Sequence, residues 1–138
     1  EIVHVPLIVL YPRGFPEARR IDSPVEMMSI YPTILELLDI APPSGIDAAS
    51  LLPLISGAET PQTRVAASFN RSKDASFAVG RHRLLLEHGK PRALFDEVND
   101  PQDRRDLRES RKDVLYFMFK NAAQWMLEKA PRTNSHRE

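Results

Sequence analysis

The feature that most constrains the fold of this chain is an almost unbroken apolar run, "VHVPLIVLYP", at residues 3–12. From Val3 to Leu10 the run lacks the apolar–polar alternation of a strand that has one face in water. Continuous apolar strands belong to sheets covered on both faces, usually the parallel sheets of α/β proteins. The run therefore predicts a buried strand; the alternative is an edge strand packed against one helix.

This leading strand lacks an obvious parallel partner elsewhere in the sequence. The 138 residues suffice for one compact domain, yet no second run has the same character. We therefore expect polypeptide outside this chain to complete the sheet, and Glu1 at the first position suits a fragment or a processed product. An unpaired strand of this kind also offers a route to a homo-oligomer.

Composition excludes several classes of function. Lys plus Arg and Asp plus Glu both number 19, so the formal net charge is zero and gives no electrostatic basis for binding nucleic acid. The absence of cysteine excludes disulfides, zinc–thiolate sites and a cysteine nucleophile within this chain. No apolar run approaches the ~20 residues of a membrane helix, so no membrane segment is predicted.

A helix is predicted within "SPVEMMSIYPTILELLDI", residues 23–40. Ser23 can cap it, Pro24 suits the first helical position, and Glu26 completes a capping box. Pro32 predicts a kink at that point or two short helices in series. A buried apolar stripe is predicted from Val25, Met28, Ile34, Leu35 and Leu38.

The second half of the chain differs from the first in its pattern of apolar and polar residues. From Arg64 onward, the short runs "RVAASFN", "SFAVG", "RLLLEH" and "RALFDE" alternate with polar turns. This spacing predicts a small antiparallel sheet of about four strands. Arg111 to Ala130 then predicts a single helix. Its apolar face is predicted to hold Val114, Phe117, Met118, Ala122, Trp125 and Met126.

The sequence contains no recognisable active site of its own, so catalytic residues and metal ligands are predicted to be absent. The four histidines do not stand at metal-binding spacing, and HExxH, GxGxxG, GxxxxGK and GxSxG are all missing. Asp100 and Asp103 lie in a charged turn, where solvated caps explain them. Arg81, His82 and Arg83 are candidate ligands for an anionic substrate; the alternative is a solvated hairpin tip.

Three stretches stand in a fixed order along the chain. They are "VPLIVLYP" with the following "IDSPVEMMSIYPTILELLDI", then "GIDAASLLPLISG", then "ALFDEVNDPQDRRDLRES". In turn they resemble the VPLIV strand with its "DLxPTLLxLxG" helix, the "DGxSLLPLLxG" stretch and the "LYDLxxDPxExxNL" turn of sulfatases, a family of the alkaline phosphatase superfamily. The resemblance covers roughly residues 1–110, and its last stretch predicts that Leu107 anchors a turn to the core.

The resemblance implies an alkaline phosphatase-like α/β fragment that continues into an α+β part. Residues 1–60 would be the end of the α/β core, with the strand, a kinked helix and a loop. Residues 61–138 would form the carboxy-terminal subdomain of antiparallel sheet plus helix. The missing amino-terminal portion of the parent protein would then be the partner of this chain.

The implied activity belongs to the intact parent rather than to this chain. Sulfatases hydrolyse sulfate esters with a formylglycine or Ser nucleophile from a C/S-x-P-x-R motif, assisted by a divalent metal, usually calcium. Both elements lie upstream of the VPLIV strand, so the chain alone is expected to be structural and inactive. Sulfatase-like parents are often exported, which suggests a periplasmic or secreted location.

The chain departs from the family pattern at several positions. Ser29 and Ala48 stand where the family often has Asp and Gly, and Asp103 and Asp106 take the Glu and Asn places. Arg81–Arg83 corresponds to a frequent "RYK". Two alternatives therefore stay open: a phosphoryl-transfer relative, such as a phosphoethanolamine or glycerophosphate transferase or a phosphodiesterase, and a non-enzymatic interaction module.

Overall fold

The structure is a computed structural model that describes residues 5–15, 17–60, 64–69 and 74–129. A 3₁₀ turn at Met27–Ser29 leads into helix α1 (Ile30–Leu37), and a short helix α2 follows at Leu52–Ser56. The remaining elements are strands β1 (Val65–Phe69), β2 (Ala75–Val79), β3 (His82–Glu87) and β4 (Lys90–Asp96), and helix α3 (Lys112–Lys129). The predicted four strands and the predicted carboxy-terminal helix are confirmed.

The four strands form one antiparallel sheet in the order β1-β2-β3-β4. Two-residue turns join the last three strands, because Val79 pairs with His82 and Glu87 pairs with Lys90. The second of these turns, His88-Gly89, has a positive φ at both residues, which is the backbone of a type I′ hairpin. These two turns set the pairing of β2 with β3 and the first pairs of β3 with β4, beyond which the register shifts between Leu85 and Leu86.

Helix α3 packs on one face of this sheet and closes the core. Phe77, Leu84 and Leu94 from three strands are fully buried against Met118. The predicted apolar face of the helix is correct except for Phe117, which is half exposed. Phe117 lies about 100° around the helix from Met118, so it falls outside the narrow buried stripe.

Helix α1 starts later than the sequence predicts. The 3₁₀ turn precedes it, and neither Glu26 nor Ser29, which flank the two helical starts, makes a side-chain capping hydrogen bond. The Glu26 carboxylate instead accepts a hydrogen bond from the amide of Ala67 on β1, at 3.0 Å. Pro32 lies in the first turn of α1, where a missing N–H removes no intrahelical hydrogen bond, rather than at a kink.

The predicted buried stripe of this helix is wrong at three of its five positions, since Val25 and Leu35 are partly buried. Met28, Ile34 and Leu38 are exposed, while the buried residues of α1 are Pro32 and Thr33. The spacing places Ile34 and Leu38 on one face of α1, and both are exposed.

The prediction of a buried leading strand is wrong for this chain by itself. Residues 5–10 contain no strand, and Val5, Ile8 and Leu10 are exposed. The physical reason is the lack of a neighbour: a strand needs the backbone groups of an adjacent strand, and the described strands pair with one another. Residues 1–4 lie outside the described part.

Two further expectations from the sequence concern the domain boundary and membrane segments. The boundary predicted between residues 60 and 61 falls beside residues 61–63, which lie outside the described part, and the two-domain division stays a prediction. Within the described ranges, no helix combines the length and apolar character that a membrane span requires.

Candidate functional site

The sequence-predicted anion-binding candidates lie where β2 turns into β3. Arg81 occupies the turn and donates from Nε and Nη2 to the two carboxylate oxygens of Asp96, at 2.9 Å and 2.6 Å. Asp96 ends β4 directly opposite His82. A bidentate pair of this kind satisfies the guanidinium with a carboxylate of the same chain, so Arg81 does not present a free charge to a ligand.

Arg83 is engaged by two carboxylates. Its Nη2 donates to Asp103, and its Nε lies 2.8 Å from Glu97 Oε1 without the alignment of a hydrogen bond. Its guanidinium carbon also lies 5.6 Å from the ring centre of Phe95, within the range of a cation–π contact. Two carboxylates face one guanidinium here. Arg83 therefore links β3 to the turn after β4, which favours a structural brace over an anion-binding site.

His82 and Arg83 do not share a face of the sheet. It neighbours Arg83 along a strand, where successive side chains point to opposite faces of the sheet. Burial lowers the pKa of His82, opposed by the charge of Asp96 and assisted by the charges of Arg81 and Arg111. The imidazole is therefore neutral near pH 7 and attracts anions weakly. The substrate-binding role of this trio stays a prediction.

The turn after β4 is held by its own carboxylates. Asp100 accepts a hydrogen bond from the amide of Arg105 at 2.7 Å, and Asp106 accepts one from the amide of Leu94 at 3.1 Å. The amide of Leu107 donates to the carbonyl of Leu94 at 2.8 Å, and its side chain packs on the core. The expected anchoring role of Leu107 is confirmed. The turn that resembles the family motif thus hydrogen-bonds to the outer edge of β4. We call the two contacts, Asp106 with Leu94 and Leu107 with Leu94, the latch.

Sequence reasoning missed the contact between Asp106 and Leu94. The available signal was an Asp beside the anchoring Leu107, since short acidic side chains often bind nearby backbone amides. Burial raises the pKa of Asp106, but hydrogen bonds from Arg108 and from the Leu94 amide outweigh that effect and lower the pKa below its usual range. The carboxylate is therefore ionised, and accepts these bonds, at neutral pH.

In the described ranges, one group of side chains lies close enough together to be considered as a cation site. Single ligand atoms of Asp74, Glu87 and His88 lie within 4.8 Å of one another. Glu87 and His88 are exposed, and Glu87 already forms an ion pair with Arg92 at 2.6 Å. A calcium centre needs about six to eight oxygen ligands, so these residues do not fit the metal that a sulfatase implies.

A shallow groove of about 590 Å³ lies between α1 and the loop that follows it. Ser50 borders the groove, but its hydroxyl accepts a hydrogen bond from the amide of Leu52 at 3.1 Å and no histidine lines the groove. The groove therefore lacks a nucleophile with a neighbouring base. Its other lining residues are mainly apolar and include Pro32, Glu36, Asp39, Ile40, Pro43 and Ile46.

Several curated proteins are similar to this chain in sequence. A sulfatase of Formosa agariphila is 27% identical over 122 residues, which cover 88% of this chain and 23% of that protein. Arylsulfatase K of Xenopus laevis is 36% identical over 87 residues, covering 62% of this chain and 14% of that protein. The chain thus spans about a quarter or less of the length of these relatives. No family model matches it.

Solved structures agree on the fold. The structure of Ps i-CgsB in complex with k-i-k-neocarrahexaose superposes with a TM-score of 0.63 at 22% identity, covering 77% of this chain and 25% of that one. A 2-O GAG sulfatase superposes with a TM-score of 0.60 at 21% identity, covering 75% of this chain and 25% of its own. The chain is therefore a homologue of sulfatases and corresponds to the carboxy-terminal region of a sulfatase-like protein with the alkaline phosphatase-like fold.

Proposed function

We propose that this chain is the carboxy-terminal part of a sulfuric ester hydrolase whose catalytic centre lies in polypeptide outside it. The observation that carries the proposal is the similarity to a sulfatase across 88% of this chain, against 23% of the relative. Two of the residues predicted to bind an anion, Arg81 and Arg83, each form an ion pair with a carboxylate of the chain. That arrangement supports a structural role for the described residues.

The proposed reaction assigns the chemistry to the missing portion. The hydroxyl of a Ser or of a hydrated formylglycine would form a bond to the sulfur of a sulfate ester while the bond from sulfur to the ester oxygen breaks, and the alcohol would leave with the proton of the nucleophile. A divalent metal, expected to be calcium, would stabilise charge on the sulfate oxygens. This chain would contribute the sheet of β1–β4 with α3. The turn at Arg81–Arg83 is the first place where it could line the substrate pocket.

The experiment begins with the coding sequence directly upstream of Glu1. We expect it to encode a C/S-x-P-x-R motif in the same reading frame. The joined protein, supplied with calcium, should hydrolyse an aryl sulfate, and Ala in place of the motif's Cys or Ser should abolish turnover. A lone Thr nucleophile upstream, with phosphate-ester but no sulfate-ester hydrolysis, would overturn the proposal in favour of a phosphoryl-transfer relative.

A further inference from the structure

The two outer edges of the four-stranded sheet are protected to different extents. Strand β4 begins with the residues KPR, and the latch covers its outer backbone at Leu94. Charged side chains, proline and covering loops are the usual means by which an edge strand avoids pairing with another chain. Strand β1, with the sequence VAASF, has no charged residue and no proline. Its outer edge therefore lacks the protection that its own side chains could supply.

A carboxylate from a distant part of the sequence lies on the edge of β1. Glu26, in the segment before α1, accepts a hydrogen bond from the amide of Ala67 at 3.0 Å, although 41 positions separate the two residues. The Ala67 amide therefore points away from β2. Successive residues of an antiparallel strand direct their backbone groups to alternate sides, so the N–H and C=O groups of Val65 and Phe69 also point outward. Glu26 thus occupies the middle of a short row of outward donors and acceptors.

The outward groups of β1 are complementary to those of β1 in a second copy of the chain. In an antiparallel arrangement centred on Ala67, that residue faces its own counterpart, and Val65 faces Phe69 of the second copy. Every outward N–H then meets an outward C=O. The side chains favour the same arrangement, because Phe69 is 51% exposed and stacks on Trp125 with ring centres 5.4 Å apart. The second copy would set a valine beside this ring, and aromatic–β-branched pairs stabilise neighbouring strands.

We propose that Glu26 is a guard that keeps the outer edge of β1 from pairing with the same strand of a second copy. A second strand would lie about 4.8 Å from β1, so Glu26 would have to leave the Ala67 amide. Its carboxylate would lose a hydrogen bond, and the two copies of Glu26 would approach each other near the two-fold axis of the dimer. Both effects oppose pairing. Removal of the guard opens a surface that fits a second copy of the chain.

The first measurement is the mass of the full chain in solution, by sedimentation at several concentrations. Glu26→Ala should tighten self-association about tenfold or more relative to the parent chain, because the Ala67 amide then lacks its acceptor. The control Glu36→Ala removes an exposed carboxylate from α1 and should leave self-association within about twofold of the parent chain. Circular dichroism checks that each variant is folded.

A second variant makes the test specific to β1. Adding Ala67→Pro to Glu26→Ala removes the outward N–H at the centre of the pairing and leaves the hydrogen bonds between β1 and β2 in place. The self-association of this double variant should return to that of the parent chain. Hydrogen exchange provides an independent readout: the amides of Val65 and Phe69 should be slowed about tenfold or more in Glu26→Ala and not in the double variant.

The parent chain supplies a test that no variant can disturb. Its Ala67 amide, bound to Glu26, should exchange about tenfold or more slowly than the amides of Val65 and Phe69. Equal exchange at the three positions would overturn the proposal, because Glu26 would then not be the group that covers the edge. A Glu26→Ala chain that associates no more tightly than the Glu36→Ala control would also overturn it. So would tighter association that survives Ala67→Pro, which would place the contact elsewhere on the molecule.

Discussion

Asp106 accepts a hydrogen bond from the backbone amide of Leu94 at 3.1 Å, and the amide of Leu107 donates to the carbonyl of Leu94 at 2.8 Å. Both outward backbone groups of Leu94 on the edge strand β4 are thereby satisfied by the turn that follows the strand. The side chain of Leu94 is fully buried in the core. The latch covers an edge that would otherwise be open to pairing with another strand.

Replacing Asp106 by Ala removes this latch. We expect the free energy of unfolding to fall by about 1–2 kcal/mol, because the partly buried amide of Leu94 loses its acceptor. Asp106→Asn keeps an acceptor oxygen, as does the Asn of the family motif, and should stay within about 0.5 kcal/mol of the parent chain. Urea unfolding followed by circular dichroism measures both. Equal losses in the two variants would contradict the latch.

Arg83→Ala tests whether the arginine braces the sheet. Its side chain is largely buried between Glu97 and Asp103, so the variant leaves two carboxylates without their cation and should lose about 1–3 kcal/mol of stability. Arg92→Ala is the matched control on β4, since its pair with Glu87 is exposed and worth at most about 1 kcal/mol. A raised KM of the assembled hydrolase with unchanged stability would instead assign Arg83 to substrate binding.

Met118→Ala tests the contact between α3 and the sheet. The side chain is fully buried against the core residues of the strands, so its truncation should cost about 2–5 kcal/mol. Leu127→Ala, on the exposed side of the same helix, should change stability by less than about 0.5 kcal/mol. Thermal and urea unfolding provide the comparison. Similar losses at the two positions would mean that α3 does not pack as described.

Lowering the pH should weaken the ion pair between Asp96 at the end of β4 and Arg81 in the β2–β3 turn. Burial raises the pKa of Asp96, but hydrogen bonds from Arg81, Asn99 and Val98 outweigh that effect and lower the pKa. A carboxyl whose folded pKa is depressed contributes stability above its unfolded value of about 3.9, and this is lost as pH falls through the folded value. Unfolding free energies at about pH 6 and about pH 3 should differ less in Asp96→Asn than in the parent chain. An equal pH dependence would contradict this role.

The sheet could be predicted from the sequence because short turns and the apolar runs beside them specify its strands. The two-residue turns at Gly80-Arg81 and His88-Gly89 set the first pairs of each hairpin, and β-rich runs on either side supply the strands. The helical period of α3 identified Met118 and its neighbours as core. Phe117 was misplaced because the buried stripe of this helix is narrower than its run of apolar residues.

Periodicity could not predict the orientation of α1 or the environment of the leading run. The spacing of Ile34 and Leu38 shows that they share a face, but not on which side the rest of a protein lies. The run at residues 5–10 has the composition of a buried strand, and burial depends on strands that the described chain does not supply. Both errors concern burial, and the spacing of apolar residues does not specify which neighbours bury them.

The substrate-binding role of Arg81, His82 and Arg83 stays a prediction. The density of charge in the sequence pointed to Arg81, His82 and Arg83, and the structure places His82 at the start of β3 with the arginines on either side of it. Their partners Asp96 and Asp103 come from β4 and the turn beyond it, a pairing that only the strand register reveals. Sequence spacing alone therefore could not show that these cations are already paired.

The central claim, that the reactive centre lies outside this chain, is tested most directly by aryl sulfate turnover. The purified chain with calcium should show none, while its complex with the polypeptide encoded upstream of Glu1 should hydrolyse the ester. Turnover by the purified chain alone, persisting through repeated purification and lost on Arg83→Ala, would contradict the account.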